Sequence, residues 1–266
     1  MSSPRNVSTR ATTWLELLHE ICDSADGIAM RHFRRADLRV DDKDDGSPVS
    51  EADRAIEAMA RDLVAKRAPG LGVFGEEEGE TQTQIGARLI IDPIDGTRNF
   101  VRGIPVFASL LAIEEDGVLT AGMVSAPAMR QRWYAARGMG AFLGPRRLHV
   151  SSVSDLSRAH LFHGDLSGRV EGRQPKTLSS LFSQVERTRG FGDFYQHMLV
   201  AEGCGEIALD AKMQPWDVAA VKIIVEEAGG KSTSYTGEDS IMAPNLLSTN
   251  GHLHESVLTV LSDVHR

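Results

Sequence analysis

The sequence predicts an α+β fold, and three features of the 266-residue chain support this. Two segments with apolar residues at helical spacing come first, at residues 14–33 and after Ser50. Short apolar runs between residues 71 and 135 follow and predict a mostly antiparallel meander. After about Val150 the pattern changes to alternating strands and helices. We therefore expect layered helices and sheets in two lobes, residues 1–150 and 151–266.

The composition excludes several classes of protein. With 41% hydrophobic and 25% charged residues, the chain has the balance of a folded domain rather than of a disordered one. No apolar run approaches the roughly 20 residues of a membrane span, and a net charge of −8 argues against general nucleic-acid binding. The only cysteines, Cys22 and Cys204, have no metal-ligand spacing, which indicates a reduced, cytoplasmic setting.

The elements of the first half are predicted in order. Residues 1–12 carry two arginines and no acid but lack the apolar stretch of a secretory leader, so we expect a frayed terminus. Residues 40–46 are charged and predict a loop or hairpin. Ser50 then caps the second helix, which Pro69-Gly70 ends. The apolar stripes of the two helices are Trp14, Leu18, Ile21, Ala25, Ile28, Ala29 and Phe33, then Ile56, Met59, Ala60, Leu63 and Val64.

The remaining elements are shorter. Glu115-Asp116-Gly117 predicts a hairpin turn within the meander. In the second half, residues 198–203 predict a helix, residues 206–209 a strand, and residues 218–228 a helix that Gly229-Gly230 ends. The predicted strands of the meander are residues 71–74, 88–91, 107–113, 118–125 and 131–135.

The segment Asp92-Pro93-Ile94-Asp95-Gly96-Thr97 carries the strongest chemical signal. An apolar strand is predicted to end at Asp92, because Pro93 cannot continue the ladder, and Gly96-Thr97 begins a short helix. Carboxylates at a strand end can converge on a hard cation, and free N–H groups at a helix start can hold a phosphate oxygen. The same residues also fit an Asp-rich turn in which the acids only cap the backbone.

Two other acids occupy comparable positions. Glu76, in Gly75-Glu76-Glu77, follows the strand predicted at residues 71–74, although alone it also fits a solvated loop. Asp217 precedes an apolar helix and alone fits an ordinary N-cap. The occurrence of all three segments in one chain favours a metal site.

Taken together, these motifs resemble the inositol monophosphatase-like phosphatases, and the resemblance spans almost the whole chain. It implies a layered αβαβα sandwich of the inositol monophosphatase or sugar phosphatase type, with the metal site between the lobes. The matching pieces are Gly75-Glu76-Glu77, Asp92 to Thr97 with Asn99-Phe100, Trp216-Asp217-Val218-Ala219-Ala220 leading to Glu227-Ala228-Gly229-Gly230, and Ser50-Glu51-Ala52-Asp53.

The resemblance implies a phosphomonoesterase that uses two or three Mg²⁺ ions, with Mn²⁺ as an alternative. Glu76, Asp92 and the carbonyl of Ile94 would hold one ion, and Asp92, Asp95 and Asp217 a second, while a third would lie near Glu76. Water activated by the ions would attack phosphorus without a covalent intermediate.

Further roles carry over from the same resemblance. Thr97, Asp53 and Glu76 would orient or deprotonate the attacking water, and the N–H groups of Gly96 and Thr97 would bind phosphate.

A second resemblance concerns the substrate. Arg189 to Tyr195, with Ala201-Glu202-Gly203, is similar to the histidinol-phosphate phosphatase branch of this superfamily. Asp193, Glu202 and Asp210 would then surround L-histidinol phosphate, a compound of histidine biosynthesis. Its ammonium and imidazole groups suit carboxylate partners. Each acid alone also fits a surface or capping role. Inositol monophosphatase, fructose-1,6-bisphosphatase and nucleotide 3′-phosphatase activities remain alternatives, as does a non-catalytic relative that binds a phosphometabolite.

Three basic residues are left with open roles. Lys43 fits either a loop that folds over the third ion or phosphate, or a solvated lysine. Arg98 and Arg102 fit either phosphate or a partner subunit. Residues 102–107 match a segment that covers part of the dimer interface in relatives, so a homodimer is expected. The histidines, including His160, His163, His252 and His254, are expected to be structural.

Overall fold

A computed structural model describes residues 4–43, 46–165 and 174–262. The helices are α1 Pro4–His32, α2 Glu51–Arg67, α3 Thr97–Val101, α4 Gln174–Phe182, α5 Asp193–Ala201, α6 Pro215–Glu227 and α7 His254–Ser262. The strands are β1 Val40–Asp42, β2 Pro48–Ser50, β3 Gly72–Gly75, β4 Gly79–Glu80, β5 Ala87–Asp95, β6 Ala108–Glu115, β7 Val118–Ala126, β8 Gln131–Ala136, β9 Gly140–Leu143, β10 Arg146–Arg147, β11 His160–His163, β12 Arg187–Gly190, β13 Ile207–Ala211, β14 Lys231–Thr233 and β15 Asn245–Thr249.

The first helices follow the predicted stripes. Leu18, Ile21 and Ala25 of α1 are fully buried, as their spacing requires. The helix begins at Pro4, so the frayed terminus predicted for residues 1–12 is wrong from that residue onward, and residues 1–3 lie outside the described part. β1 and β2 form the antiparallel hairpin expected at residues 40–46, of which residues 44 and 45 are not described. Ser50 caps α2, as predicted.

The meander forms most of an eight-stranded sheet in the order β10-β9-β8-β7-β6-β5-β3-β4. All its pairings are antiparallel except that of β3 with β5.

The prediction that Pro93 ends the strand is wrong. Pairing with β6 is interrupted after Asp92 and resumes where Asp95 faces Ala108. An irregularity of this kind tolerates a proline that cannot donate to the ladder.

The second half contributes a five-stranded mixed sheet in the order β12-β11-β13-β15-β14. α5 begins at Asp193, five residues before the helix predicted at residues 198–203. The sequence missed this first turn because Gly192, Asp193 and two aromatic residues favour a turn or a strand. Phe194, His197, Met198 and Ala201 nevertheless share one buried face at helical spacing.

The predicted αβαβα layering is confirmed. One apolar cluster lies between α1, α2 and the large sheet, and a second joins the opposite face of that sheet to α5 and α6. A third joins the small sheet to α4 and α7. Trp133, Phe194 and Ile223 belong to the second cluster, so a core connects the two halves, and the division at residue 150 stays a prediction. No helix within the described ranges is long and apolar enough to cross a membrane.

Candidate active site

The centre of the candidate site is the end of β5, where the interrupted ladder presents Asp92 and Asp95. Asp92 is 2% exposed, and its Oδ1 is buried without a hydrogen-bond partner among the described residues. Asp92, Asp95 and Asp217 each offer a carboxylate oxygen, and these three atoms lie within 4.8 Å of one another. Three carboxylates at this separation repel one another unless a cation lies between them.

Asp217 reaches this cluster from the first turn of α6. It is not the N-cap that the sequence suggested. Gln214 is the N-cap, and Asp217 is the third helical residue, whose Oδ2 accepts the Gln214 N–H at 2.8 Å. This capping box orients one carboxylate oxygen toward the backbone and holds the side chain at the helix start.

Glu76 borders the cluster on the side of β3. Its Oε1 lies 2.6 Å from Lys43 Nζ, which also contacts Glu77 at 2.7 Å. Burial lowers the pKa of Lys43, but the hydrogen bonds to Glu76 and Glu77 outweigh this and raise it. Lys43 therefore places a positive charge beside Glu76. The sequence left two alternatives for Lys43, a loop that folds over the third ion or phosphate, or a solvated lysine.

The electrostatics of the cluster follow from burial. Burial raises the pKa of Asp92 well above its ordinary value, and the charges of Glu76, Asp95 and Asp217 raise it further. The pKa of Asp95 is raised in the same way by burial, then by Asp193 and Asp217. Burial raises the pKa of Asp217 to about 7. The side-chain atoms that could bind a metal here are all carboxylate oxygens. One of them, Asp92 Oδ1, is buried without a hydrogen-bond partner among the described residues. These residues fit a hard divalent cation.

A second feature joins α2 to the start of α3. Thr97 Oγ1 lies 2.9 Å from the Ile94 carbonyl oxygen and 3.4 Å from Asp53 Oδ1. Asp53 Oδ2 accepts both the N–H and the hydroxyl of Ser50, at 2.8 and 2.5 Å. Burial raises the pKa of Asp53 to about 6, although the hydrogen bonds from Ser50 oppose this. Such a carboxylate can take up a proton near neutral pH.

Gly96 supplies the sharp turn between β5 and α3. Its φ of 79° is left-handed, and a Cβ here would lie 3.0 Å from the Val106 carbonyl oxygen and 3.3 Å from Asp193 Oδ2. The close approach and the positive φ both require glycine. The first N–H groups of α3, which follow this turn, have no intrahelical acceptor.

Two of the three predicted substrate acids lie beside the cluster. Asp193 Oδ2 accepts a hydrogen bond from Asn99 Nδ2 at 2.8 Å, and the next backbone N–H, of Phe194, donates to Asp95 Oδ2 at 2.7 Å. Asp210 Oδ2 accepts from Gln196 Nε2 at 2.9 Å. Burial raises the pKa of Asp193 to about 6 and that of Asp210 to about 7.

Glu202, the third predicted acid, lies away from the carboxylate cluster. It follows the last residue of α5, whereas Asp193 begins that helix, so about 13 Å of helix separates them. Its Oε1 accepts the Trp133 indole N–H at 2.9 Å, and its Oε2 pairs with Arg146. Glu202 of the Ala-Glu-Gly motif therefore anchors the end of α5 to the large sheet, away from the carboxylate cluster.

The basic residues near α3 also have definite positions. Arg98 Nη2 donates to the Gly46 carbonyl at 3.1 Å, which ties α3 to the β1–β2 hairpin. Arg102 follows α3 and is exposed. Asn99 was not predicted as a site residue, but its side-chain NH₂ group donates to both the Val106 carbonyl and Asp193. Its position two residues after Thr97, within the matched motif, was the available signal.

An αβαβα sandwich with acids from a strand end and a helix start converging on one point defines a metal-dependent phosphomonoesterase. The model of the inositol monophosphatase family matches residues 11–266, and the chain belongs to this family.

Its relatives include a histidinol-phosphatase of Mycobacterium tuberculosis, 46% identical over 93% of this chain and 97% of that protein. A histidinol-phosphatase of Streptomyces coelicolor is 42% identical over 93% of this chain and 96% of its own length. Among solved structures, the extragenic suppressor protein suhB of Bartonella henselae superposes with a TM-score of 0.88. It is 30% identical, over 93% of this chain and 98% of that chain.

Proposed function

We propose that the chain is a Mg²⁺-dependent phosphatase that hydrolyses L-histidinol phosphate to L-histidinol and phosphate. The observation that carries the proposal is the placement of two further carboxylates, Asp193 and Asp210, directly beside the acids that fit a metal. The names of the two bacterial histidinol-phosphatases that match nearly the full chain support the same substrate.

The residues proposed to hold the ions are Glu76, Asp92, the Ile94 carbonyl, Asp95 and Asp217. Oxygen ligands of this kind suit Mg²⁺ and also accept Mn²⁺. The chemistry that the ions supply when bound is a lowered pKa for the attacking water and charge compensation at the phosphate. Asp92, which interacts with both Glu76 and Asp217, would contribute to both ions.

The protein's own part in the hydrolysis is to orient water and accept a proton. The Thr97 hydroxyl lies between the Ile94 carbonyl and Asp53, so its hydrogen is directed toward one of these acceptors. A lone pair of Thr97 Oγ1 then remains to accept a hydrogen bond from the attacking water. With the Thr97 hydrogen directed to Asp53, whose pKa is raised to about 6, the water gives a proton to Thr97 Oγ1 and Thr97 passes its own proton to Asp53.

The N–H groups of Gly96 and Thr97 are proposed to bind phosphate oxygens. They belong to the left-handed turn that begins α3, and the first N–H groups of a helix favour an anion.

Asp193 and Asp210 are proposed to bind the positively charged part of the substrate. Without a cation their pKa values are raised to about 6 and about 7, which reflects the cost of burying their charge. A bound ammonium or imidazolium lowers that cost and returns both groups to the carboxylate form. A neutral inositol ring offers only hydroxyl hydrogen bonds, which stabilise carboxylates less.

A substrate panel tests this proposal. The kcat/KM for L-histidinol phosphate should exceed those for inositol 1-phosphate, fructose 1,6-bisphosphate and a nucleoside 3′-phosphate, measured as phosphate release with Mg²⁺. Efficient hydrolysis of another monoester with no turnover of L-histidinol phosphate would contradict the substrate. Absence of turnover with every ester would favour a non-catalytic relative.

The metal assignment is tested by Asp92→Asn. This change removes the acid that contacts both Glu76 and Asp217, so phosphate release should fall by about 10³-fold or more while the circular dichroism spectrum is unchanged. Activity close to that of the unchanged chain would refute the assignment of Asp92 as a ligand.

We further propose a cytoplasmic homodimer. Val101 and Ile104 are 38% and 42% exposed, and they lie beside and within residues 102–107, the segment that the sequence assigned to a dimer interface. Both Cys22 and Cys204 are free thiols, as in proteins of a reducing compartment. Light scattering after size exclusion should give twice the chain mass of 29.0 kDa, and Ile104→Glu should give the single chain mass.

A further inference from the structure

Glu57 is a charged residue with no exposed side-chain surface, and none of the proposed catalytic steps uses it. It lies in the middle of α2 and points toward the turn after β3. Its Oε2 accepts the Glu77 N–H at 2.8 Å, and its Oε1 accepts the Glu78 N–H at 3.0 Å. One buried carboxylate thus binds the two backbone N–H groups that directly follow Glu76.

Arg61, one helical turn later, completes this arrangement. Its Nη2 donates to Glu57 Oε1 at 2.7 Å and to the Gly79 carbonyl at 2.6 Å. The Arg61 side chain is only 14% exposed. A carboxylate with no exposed surface is tolerated when a guanidinium pairs with it and its other lone pairs are satisfied. The pair therefore holds the residue 77–79 turn from both its N–H and its carbonyl side.

Gly75 shows how closely the turn approaches α2. A Cβ at this position would lie 2.2 Å from Glu57 Oε1, a distance that no side chain can occupy. The glycine before Glu76 is therefore required by the carboxylate of Glu57. Glu76, between Gly75 and Glu77, has its backbone fixed on both sides.

We propose that Glu57 is a positioning residue that preorganises Glu76 for cation binding. The inference rests on the proposed metal site. α2 carries Asp53 one turn before Glu57, so a single helix holds both the Thr97 hydroxyl and the Glu76 turn. The two loops that form the site are thereby kept at a constant separation. Outer residues that orient a ligand in this way alter metal affinity by about 10–100-fold when they are replaced.

The test is Mg²⁺ binding to the full chain with Glu57→Gln. Glutamine keeps the size of the side chain, but its NH₂ group must face a backbone N–H, so one of the two hydrogen bonds to the turn is lost. The matched control is Glu206→Gln. Glu206 is 5% exposed and accepts the His160 N–H at 2.6 Å and the Ser151 hydroxyl at 2.7 Å, within the second half of the chain.

Calorimetric titration with Mg²⁺ alone should give a half-saturating concentration about tenfold or more higher for Glu57→Gln, and a value within about twofold of the unchanged chain for Glu206→Gln. The melting temperatures of both variants are measured in parallel, because loss of a buried hydrogen bond should lower the melting temperature of each. Equal Mg²⁺ affinity in Glu57→Gln and the unchanged chain would overturn the inference and leave Glu57 a structural residue. If the unchanged chain binds no Mg²⁺, the proposed function fails instead.

Arg61→Lys provides the test if Glu57→Gln does not fold. Lysine retains the charge but not the forked geometry that joins Glu57 to the Gly79 carbonyl. A raised half-saturating Mg²⁺ concentration supports the inference, and an unchanged one refutes it.

Discussion

At the scale of single residues, acids that the sequence predicted as site residues have different surroundings. Asp92 has a buried oxygen without a partner among the described residues, which is costly unless a cation occupies the site. Asp210 lies near the charges of Asp193 and Asp217, and burial raises its pKa to about 7. Glu202, by contrast, is paired with Trp133 and Arg146 at the far end of α5. The first two are suited to bind charged ligands, and the third is already satisfied.

The pair Asp210→Asn and Glu202→Gln separates these roles. Loss of a charged hydrogen bond to the substrate is worth about 1.5–3 kcal/mol, so Asp210→Asn should raise the KM for L-histidinol phosphate roughly tenfold or more. Glu202→Gln retains the acceptor for Trp133 and should leave the KM unchanged. Steady-state kinetics with both variants measure this. An increase in KM for the Glu202 variant alone would reverse the assignment.

At the scale of elements, α6 connects the two sheets. It is apolar on nearly all sides and nine of its thirteen residues are buried, as expected for a helix between two layers. β7 approaches it closely at Gly122, where a Cβ would lie 2.4 Å from Ile223 Cγ2 and 3.1 Å from the Ala220 carbonyl oxygen. This contact brings Asp217, at the start of α6, toward the end of β5.

Two glycine substitutions test this packing. Gly122→Ala should lower the free energy of unfolding by about 1–3 kcal/mol, because an added methyl group overpacks the β7–α6 contact. Gly27→Ala, within α1, meets only Arg31 Nη1 at 3.5 Å and should raise it by about 0.5–1 kcal/mol. Urea denaturation compares the two. A neutral Gly122→Ala would mean that the sheet and helix can separate without cost.

At the scale of the whole molecule, the fold brings acids from both halves of the chain to one point. The pKa values of Asp210 and Asp217 are raised to about 7, and those of Asp92 and Asp95 are raised as well. An acid with a raised pKa in the folded state stabilises less as the pH rises from its ordinary pKa through the raised one. The metal-free protein should therefore lose stability toward alkaline pH.

Two buried histidines limit the pH range over which this trend in stability is expected. Burial lowers the pKa of His197 to about 3 and that of His254 to about 4, so protonation opposes folding below about pH 6.5. Between pH 8 and 6.5 these histidines are at most about half protonated in the unfolded state, so the acids dominate the change in stability. In a chelator, the melting temperature should rise by roughly 3 °C or more over this interval. Saturating Mg²⁺ should remove or reverse the trend, and a metal-free melting temperature that falls toward pH 6.5 would contradict the prediction.

The sequence by itself determined the α+β class, the helical stripes and the order of the acids Glu76, Asp92, Asp95 and Asp217. These properties are local, because periodicity depends on neighbouring residues and the acids adjoin predicted strand and helix ends. The tertiary structure decided the rest. β5 continues beyond Pro93 because its pairing with β6 resumes at Asp95. Glu202 lies away from Asp193 because the whole of α5 separates them.

Glu57 illustrates the same limit, since the two turn N–H groups that it binds lie 20 and 21 residues away along the chain. Its spacing from Ala60 and Val64 sets it beside the apolar stripe of α2, but the neighbouring residues do not indicate which distant groups it contacts. Local patterns specify how the backbone turns, whereas the surroundings of a side chain depend on which distant elements pack against it.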